Sequence, residues 1–509
     1  MVESNAQRIA KNTGFLFIRT FLVLLVTLYT SRVVIRILGF EDFGLYNAVG
    51  SVVVFFSFLQ TALNNATYRY LAYELGTGNS ENLRRVYSMA INSHILLAIC
   101  VFVLLEIAGV WFLNNKLNIP PNRIISANWT FQFSLLTFCI NIIRTPFNSN
   151  IIAHEHMKFY ALISIIEVVL KLGIAFVLAL SPVDKLISYA ALLTAVSIIL
   201  MLCYVVYCHY SFKDCPYHWY WNGSLLKEFT SYSGWSLLVN VADVTATQCM
   251  SIFFFNLLGS VANAALGIAN QVIGALNQFL HTFTQAFNPQ IIKKYAVGNN
   301  DSFMQMIYTS SKVSYLLLLL FAVPFVINIR LILTIWLGKY PEETPVFVQM
   351  IIIYSLIDAQ QTSLWTAVHA TGDIRIHQIL MSSIKIMAIP SIWLILHYGG
   401  TGGDAIAIWV ALNFVCAIIR TLYMHHHIGL NLHYYLRYVV LPIVLVTIVV
   451  VPPTYFIWNS CNNEVLAFLL SSILAVLLTL FCGYMIGLNK EERKLVRTMP
   501  IVDKILHRM

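Results

Sequence analysis

Residues 14–32 read GFLFIRTFLVLLVTLYTSR, an apolar run long enough to cross a bilayer with Arg19 set inside it. An ionised guanidinium at mid-bilayer costs about 2.5–3.5 kcal/mol even on lenient insertion scales, so such a residue faces a wet cavity or a partner. The bland alternative is a side chain close enough to the helix end to snorkel toward headgroups. Lys385 lies inside another apolar run, and Arg69 near the end of a third. These cations offer charge to an anionic group. Asp243 and Asp358 stand near mid-span, and Glu106 is a third carboxylate in an apolar setting. Intramembrane carboxylates mark proton or sodium pathways, and they serve equally as counter-ions to the basic residues. Glu167 and Lys171, spaced i, i+4, read as a pair that neutralises itself.

Polar residues at helical spacing form stripes on four of the apolar segments. Asn270, Asn277, His281, Thr284, Gln285 and Asn288 share one face of the eighth. Ser57, Thr61, Asn64 and Asn65 do so on the second, Ser236, Asn240, Asp243 and Thr247 on the seventh. The tenth carries Tyr354, Asp358, Gln361 and Trp365, with His369 beside them. Singly, such residues glue packed membrane helices together. Four stripes in one chain favour a water-filled cavity, with amides taking the hydroxyls of a glycan and aromatics stacking on its rings. The expected lining is Arg19, Asn64, Asn65, Arg69, Asn277, His281, Gln285, Gln361, Trp365 and Lys385.

The elements that must hold these side chains follow from composition. The chain has 509 residues, 59% hydrophobic and 10% charged, which fits an all-α polytopic membrane protein and no soluble one of this size. About fourteen transmembrane helices of roughly 20 residues each are expected. They lie near 14–36, 44–71, 87–113, 125–149, 159–180, 187–209, 229–257, 263–288, 307–335, 346–369, 377–397, 404–424, 438–458 and 465–486. The polar N-terminus lacks a cleavage site, so the first segment reads as a retained helix. Lys and Arg divide about 19 to 7 between the two sides, which places both termini in the cytoplasm. The net charge of +9 reflects this bias and not a nucleic-acid footprint. Nine scattered cysteines indicate neither a disulfide framework nor a zinc site. His425-His426-His427 fan out by about 100° per residue and read as a helix cap, not a metal site. No cofactor is expected, and no phosphate-binding GxxxxGK[ST] loop occurs, so energy must come from an ion gradient (H+ or Na+), the membrane potential or product removal.

An internal repeat organises the spans. Leu38-Gly39 through Gly78-Asn79 recurs at Leu258-Gly259 through Gly298-Asn299, a shift of 220 residues without a gap. Six spans separate the copies, so the halves run parallel, with a substrate site expected between them. The expected divisions are residues 1–210, residues 211–430 and an appended pair of helices with a tail, residues 431–509.

The segment KNTGFLFIRTFLVLLVTLYTSRVVIRILGFEDFGLYNAVG, followed by FFSFLQTALNNATYRYLAYELGTGN, resembles Wzx-type polysaccharide (O-antigen) flippases. These belong to the superfamily of multidrug, oligosaccharidyl-lipid and polysaccharide (MOP) exporters. The Arg36–Tyr46 stretch is the most recognisable piece, and the similarity is strong over about the first 160 residues. The resemblance implies two six-helix lobes in a V, alternating access, and no enzymatic activity. Its implied cargo is an undecaprenyl-pyrophosphate-linked oligosaccharide moved from the cytoplasmic to the periplasmic leaflet of a bacterial inner membrane, alongside a polysaccharide polymerase and, in some bacteria, lipopolysaccharide synthesis. Related lipid II flippases place arginines of helices one, two and eight in the cavity; Arg19 and Arg69 match the first two, while the eighth offers only His281. Two extra C-terminal helices form a groove for the lipid tail in those relatives. Three rivals stand beside this reading: an ion-coupled multidrug exporter of the same fold, a lipid II flippase and a membrane polysaccharide polymerase. The polymerase is disfavoured because no loop on the outer side exceeds roughly 15 residues.

Overall fold

A chain that runs through oil has no water to satisfy its N–H and C=O groups, so its backbone must close its hydrogen bonds locally. The computed structural model describes residues 5–77, 79–154, 156–213, 216–223, 241–242, 244–296, 300–371, 373–489 and 492–493. Side chains at 5–21, and at several positions within 62–77 and 279–296, lie outside that description. Among the described residues there are helices and connections and no strand. In order they are α1 (Asn5–Val54), α2 (Ser57–Thr77), α3 (Ser80–Leu104), α4 (Val110–Lys116), α5 (Ile124–Ala153), α6 (Met157–Leu180) and α7 (Lys185–Ser211). Then follow α8 (Val244–Leu258), α9 (Ser260–Ala296), α10 (Asn300–Ile327), α11 (Ile329–Leu337), α12 (Thr344–Thr371), α13 (Arg375–His397) and α14 (Gly402–Ile428). The chain ends with α15 (Leu432–Tyr435), α16 (Leu441–Ser460) and α17 (Glu464–Cys482).

The protein is a multi-pass membrane protein. Among the described residues, nine helical stretches are long and apolar enough to cross a bilayer. α5 and α12, at 30 and 28 residues, have the length but are not among the nine, because Asn, Gln, Ser and Thr dilute their apolar residues. Among the described residues the predicted spans fall on helices (residues 229–240 and 243 of the seventh lie outside the description), but their joints differ from expectation. The predicted loop between the first two spans is absent: α1 runs through, kinked at Gly39 (φ 80°, ψ 169°). Gly259 joins α8 to α9 with nearly the same backbone (φ 94°, ψ 175°). Only glycine enters this region at low cost, so one residue ends a helix and the next begins another. The second predicted span breaks after Val54, and the ninth ends at Asn328, whose side chain donates to Pro324 O at 3.0 Å.

Two compact units emerge. One gathers Met1–Gly267 and Lys385–Gly402, the other Ile268–Ile384 and Gly403–Met509. In the first, Val49, Ala98, Phe131, Leu135 and Phe255 form one apolar core, and Leu71, Val86, Ile163 and Leu200 another. Two close approaches lock the second half of α1 against the start of α9. A Cβ on Gly44 would lie 1.9 Å from Ser260 O, and one on Gly267 would lie 2.2 Å from Asn47 Nδ2. Buried Asn263 donates to Gly44 O at 2.9 Å and accepts from Ser251 at 2.8 Å. Nearby, Arg123 holds Asp42 and also Asp184, which caps α7. Burial alone would raise the Asp184 pKa, but hydrogen bonds from Ile187 N and Ser126, the Arg123 charge and Leu186 N together hold it below the ordinary carboxylate value.

In the second unit Ile307, Leu364 and Val368 centre one core, while Val323, Val446 and Ala475 join α10 to α16 and α17. The segment after α17 is tied down by an ion pair. Lys312 Nζ donates to Glu492 Oε2 at 2.5 Å, with side chains only 2% and 4% exposed. Thr309 Oγ1 and Asn489 N also donate to that carboxylate, each at 2.8 Å. Asn489 and Glu492 bond reciprocally in a capping-box pattern.

Two stability predictions follow from these joints. Gly44→Ala drives a Cβ into a backbone carbonyl that cannot step aside, so it should lose stability at or beyond the upper end of the ~1–3 kcal/mol typical of overpacking. Gly267→Ala should cost less, because the Asn47 amide can rotate; thermal unfolding of the two variants in detergent checks the order. Glu492→Ala strands a buried ammonium and should cost about 3–5 kcal/mol, whereas Lys312→Met with Glu492→Leu should recover most of the loss in the same assay.

Candidate functional site

A polar face on a helix surrounded by oil must turn inward, and α5 carries such a face. Asn141, Arg144, Thr145 and Asn148 recur every three or four residues and so share one side. Pro146, inside the same helix, cannot donate to the carbonyl of Ile142. This face meets α2, α6 and α7 of the first unit around a cavity of about 410 Å³. Gln60, Thr61 and Asn64 line it from α2, Tyr160, Ser164 and Glu167 from α6, and Tyr204 from α7.

Hydrogen bonds fix the amides of α2 on α5. Gln60 Nε2 donates to Thr145 Oγ1 at 3.1 Å, and Asn64 Oδ1 accepts from Ser149 at 2.8 Å. Arg144 lies with its guanidinium carbon 5.5 Å from the centre of the Tyr204 ring. Its Nη1 is 3.6 Å from Glu167 Oε2, near enough for an ion pair but too far for a hydrogen bond. Lys171 Nζ donates to Glu167 Oε1 at 2.7 Å. Two cations thus share one carboxylate, leaving one net positive charge in this trio. Arg144 Nη1, Asn141 Oδ1 and Asn148 Oδ1 are buried without a hydrogen-bond partner. Unpaired buried polar atoms facing a roomy polar cavity are what water or a hydroxyl-rich ligand would satisfy.

The expected site residues divide as follows. Asn64 lines the cavity, together with Thr61 of the same stripe. Gln361 belongs to the second unit, 3% exposed with Oε1 unpartnered. Trp365 is exposed on the same helix, its ring 4.0 Å from that of His369. Asn277 is exposed on α9, and Asp358 and Lys385 are half-buried, each with a partner. Asn288 accepts from Thr366 at 2.9 Å, an α9–α12 bond of the interhelical kind. Glu106 is exposed, with Gln132 Nε2 donating to both its oxygens at 3.1 and 3.0 Å. The side chains of Arg19, Asn65, Arg69, His281 and Gln285, and all of Asp243, lie outside the described residues.

Sequence reasoning missed Arg144, Asn141 and Asn148. It gave Arg144 no role at a site and took Glu167 and Lys171 as a closed pair. The signal was present: the i, i+3/i+4 run of amides and hydroxyls on the fourth span is as regular as those on the second and eighth. What it lacked was any sign that Arg144 reaches toward Glu167 on another helix.

With this geometry in view, comparison with known proteins is informative. A polysaccharide biosynthesis protein family model matches residues 9–294, more than half of the chain. The protein belongs to that family. It is 21% identical over 499 residues to the uncharacterized membrane protein EpsK of Bacillus subtilis (strain 168), with 92% of this chain and 94% of the relative covered. Its fold is that of MOP-superfamily transporters. An inward closed conformation of the lipid II flippase MurJ superposes with a TM-score of 0.67 at 15% identity, covering 95% of this chain and 99% of the other. An inward-facing multidrug resistance transporter of the MATE family gives a TM-score of 0.59 at 12% identity, covering 81% and 94%.

If the cavity is hydrated, a thiol placed on its wall must reach water. In a background without native cysteines, Asn148→Cys should react with a small, charged methanethiosulfonate reagent at least ~10-fold faster than Leu135→Cys in the adjacent apolar core. Equal rates would mean the cavity is closed to water.

Proposed function

We propose that this protein is a flippase that carries an anionic, lipid-linked oligosaccharide across the bacterial inner membrane by alternating access. The cargo is an undecaprenyl-pyrophosphate-linked polysaccharide repeat unit, moved from the cytoplasmic to the periplasmic leaflet, where the polymerase consumes it. One observation carries the reading: a cavity inside a membrane protein of a polysaccharide biosynthesis family, lined by amides, hydroxyls, tyrosines, Arg144 and Glu167, with Glu167 also drawn to Lys171 beside it. A sugar–pyrophosphate head cannot cross about 30 Å of hydrocarbon unaided. Amides can replace its water, tyrosine rings can face its sugars, and Arg144 can meet its charge.

The lobes of this proposal are residues 1–210 and 211–430, with 431–509 appended and both termini in the cytoplasm. The shared backbone of Gly39 and Gly259, at the 220-residue shift, supports equivalent halves. Arg19 and Arg69 would add charge for the pyrophosphate, with Asn65, Asn277, His281, Gln285, Gln361, Trp365 and Lys385 completing the path. Asp243, Asp358 and Glu106 are the candidates for H+ or Na+ coupling. A multidrug exporter is the second reading, favoured by Glu167 beside Tyr160 and Tyr204, which would suit an aromatic cation. The net positive balance of Arg144, Glu167 and Lys171 favours the anionic cargo.

Charge-assisted hydrogen bonds contribute about 1.5–3 kcal/mol, so Arg144→Ala should lower glycan export roughly 10–100-fold at unchanged membrane abundance. Arg19→Ala should abolish export on the same terms. Mass spectrometry of co-purified lipid decides between the readings: a polyprenyl-pyrophosphate glycan supports the flippase, and a bound organic cation without such a lipid supports the exporter.

A further inference from the structure

Among the described residues, the second unit buries a cation without a counter-ion. Arg420, on α14, is 9% exposed, and its one hydrogen bond among the described residues runs from Nε to His377 Nε2 at 3.3 Å. No ion pair within 4.0 Å involves it among the described residues. The nearby carboxylate in the α12–α13 connection, Asp373, is exposed and makes no such pair. Because Nε2 of His377 accepts, the proton of the neutral ring sits on Nδ1. His377 is 0% exposed, and that Nδ1 has no partner. Tyr423, three residues beyond Arg420, packs its ring 5.5 Å from the His377 ring, and its hydroxyl is also buried and unpartnered. Gln378 Nε2 meets His369 Nε2 at 3.5 Å, which leaves Gln378 Oε1 open as well. The Asp373 charge acts on Tyr423, so the member of the cluster left with a formal positive charge and no carboxylate partner among the described residues is Arg420.

A charge buried in this way costs several kcal/mol unless something neutralises it. The place itself suggests what does. His377 lies in the first turn of α13 and Arg420 toward the last turns of α14, so the cluster sits at helix ends, at headgroup depth for spanning helices. Around it, Ile376 and Ile379 on α13 and Ile418 and Leu422 on α14 are exposed, as lipid-facing positions are. We propose that Arg420, held in place by His377, binds one phosphate of an anionic phospholipid, whose acyl chains run along the exposed faces of α13 and α14. Basic pockets between membrane helices recognise headgroups in this manner. The Nη groups of the guanidinium take two phosphate oxygens, while Nε stays on His377 Nε2 and orients the fork. The site shares no residue with the cavity of the first unit.

The test uses full-length protein in nanodiscs of phosphatidylcholine, with or without phosphatidylglycerol, read by thermal unfolding and by native mass spectrometry after release into detergent. Wild type should gain several degrees with phosphatidylglycerol and retain that lipid as an adduct. Arg420→Gln should lose both the adduct and the gain, yet unfold no earlier than wild type in phosphatidylcholine alone, since an uncompensated charge has been removed. Arg420→Lys, which keeps the charge without the fork, should retain only part of the gain. Three outcomes would overturn the proposal. Inorganic phosphate reproducing the gain in phosphatidylcholine would make the occupant a free anion. An undiminished phosphatidylglycerol response in Arg420→Gln would remove Arg420 from the site. Equal destabilisation of that variant in every lipid would leave Arg420 a packing role only.

Discussion

The whole molecule answers to one constraint: a polar side chain on a helix immersed in hydrocarbon must find either a partner or water inside the protein. Most of the helices avoid the problem by being apolar. α5 cannot, because Asn141, Arg144, Thr145 and Asn148 occupy a full stripe. Its solution is to face α2, α6 and α7, where Gln60 and Ser149 make bonds across the gap and the remaining groups border open space. The cavity is thus the consequence of polar residues that the bundle does not pair with one another. A packing role would have matched donors to acceptors; the orphaned Asn141 Oδ1 and Asn148 Oδ1 are what a binding surface leaves over.

Charge in the two units is handled in contrasting ways. Glu492 pairs with Lys312 and also accepts from a hydroxyl and a backbone amide, and this anchors the segment after α17 to α10. The Arg144–Glu167–Lys171 trio is only partly neutral and only partly buried, with side chains 20–42% exposed, so its electrostatics are softened by solvent and remain available to a ligand. Arg420 has an imidazole for company and, among the described residues, no ion-pair partner. Paired, shared and unpaired charges suit an anchor, a binding wall and an anion site respectively.

The joints between helices add a mechanical element. Gly39 and Gly259 turn the chain with a single residue each, and Gly44 and Gly267 let the second half of α1 and the start of α9 meet at backbone distance. Asn263 bridges that contact through Gly44 O. Backbones this close leave little freedom to slide, so the movement that the proposed alternating access requires must be accommodated elsewhere.

Much of this was legible in the sequence. Hydropathy alone specified an all-α membrane protein and the approximate course of its helices, because each span must bury its own backbone and show oil an apolar face. The Leu-Gly pairs at 38–39 and 258–259 were legible as the start of a repeat, but that each is a one-residue joint, with glycine at positive φ, came from the structure. The polar stripe of α2 puts Asn64 on the wall of a cavity inside the first unit, whereas the sequence points to a site between the halves. Tertiary structure decided the rest. Glu167 belongs as much to Arg144 as to Lys171, although those cations lie 23 and 4 residues away in the chain, because packing α5 on α6 brings the first within reach. Lys312 and Glu492, 180 residues apart, had no local signal at all. Periodicity tells which face of a helix is polar; only the arrangement of neighbouring helices determines whether that face meets a partner, a cavity or an absent anion.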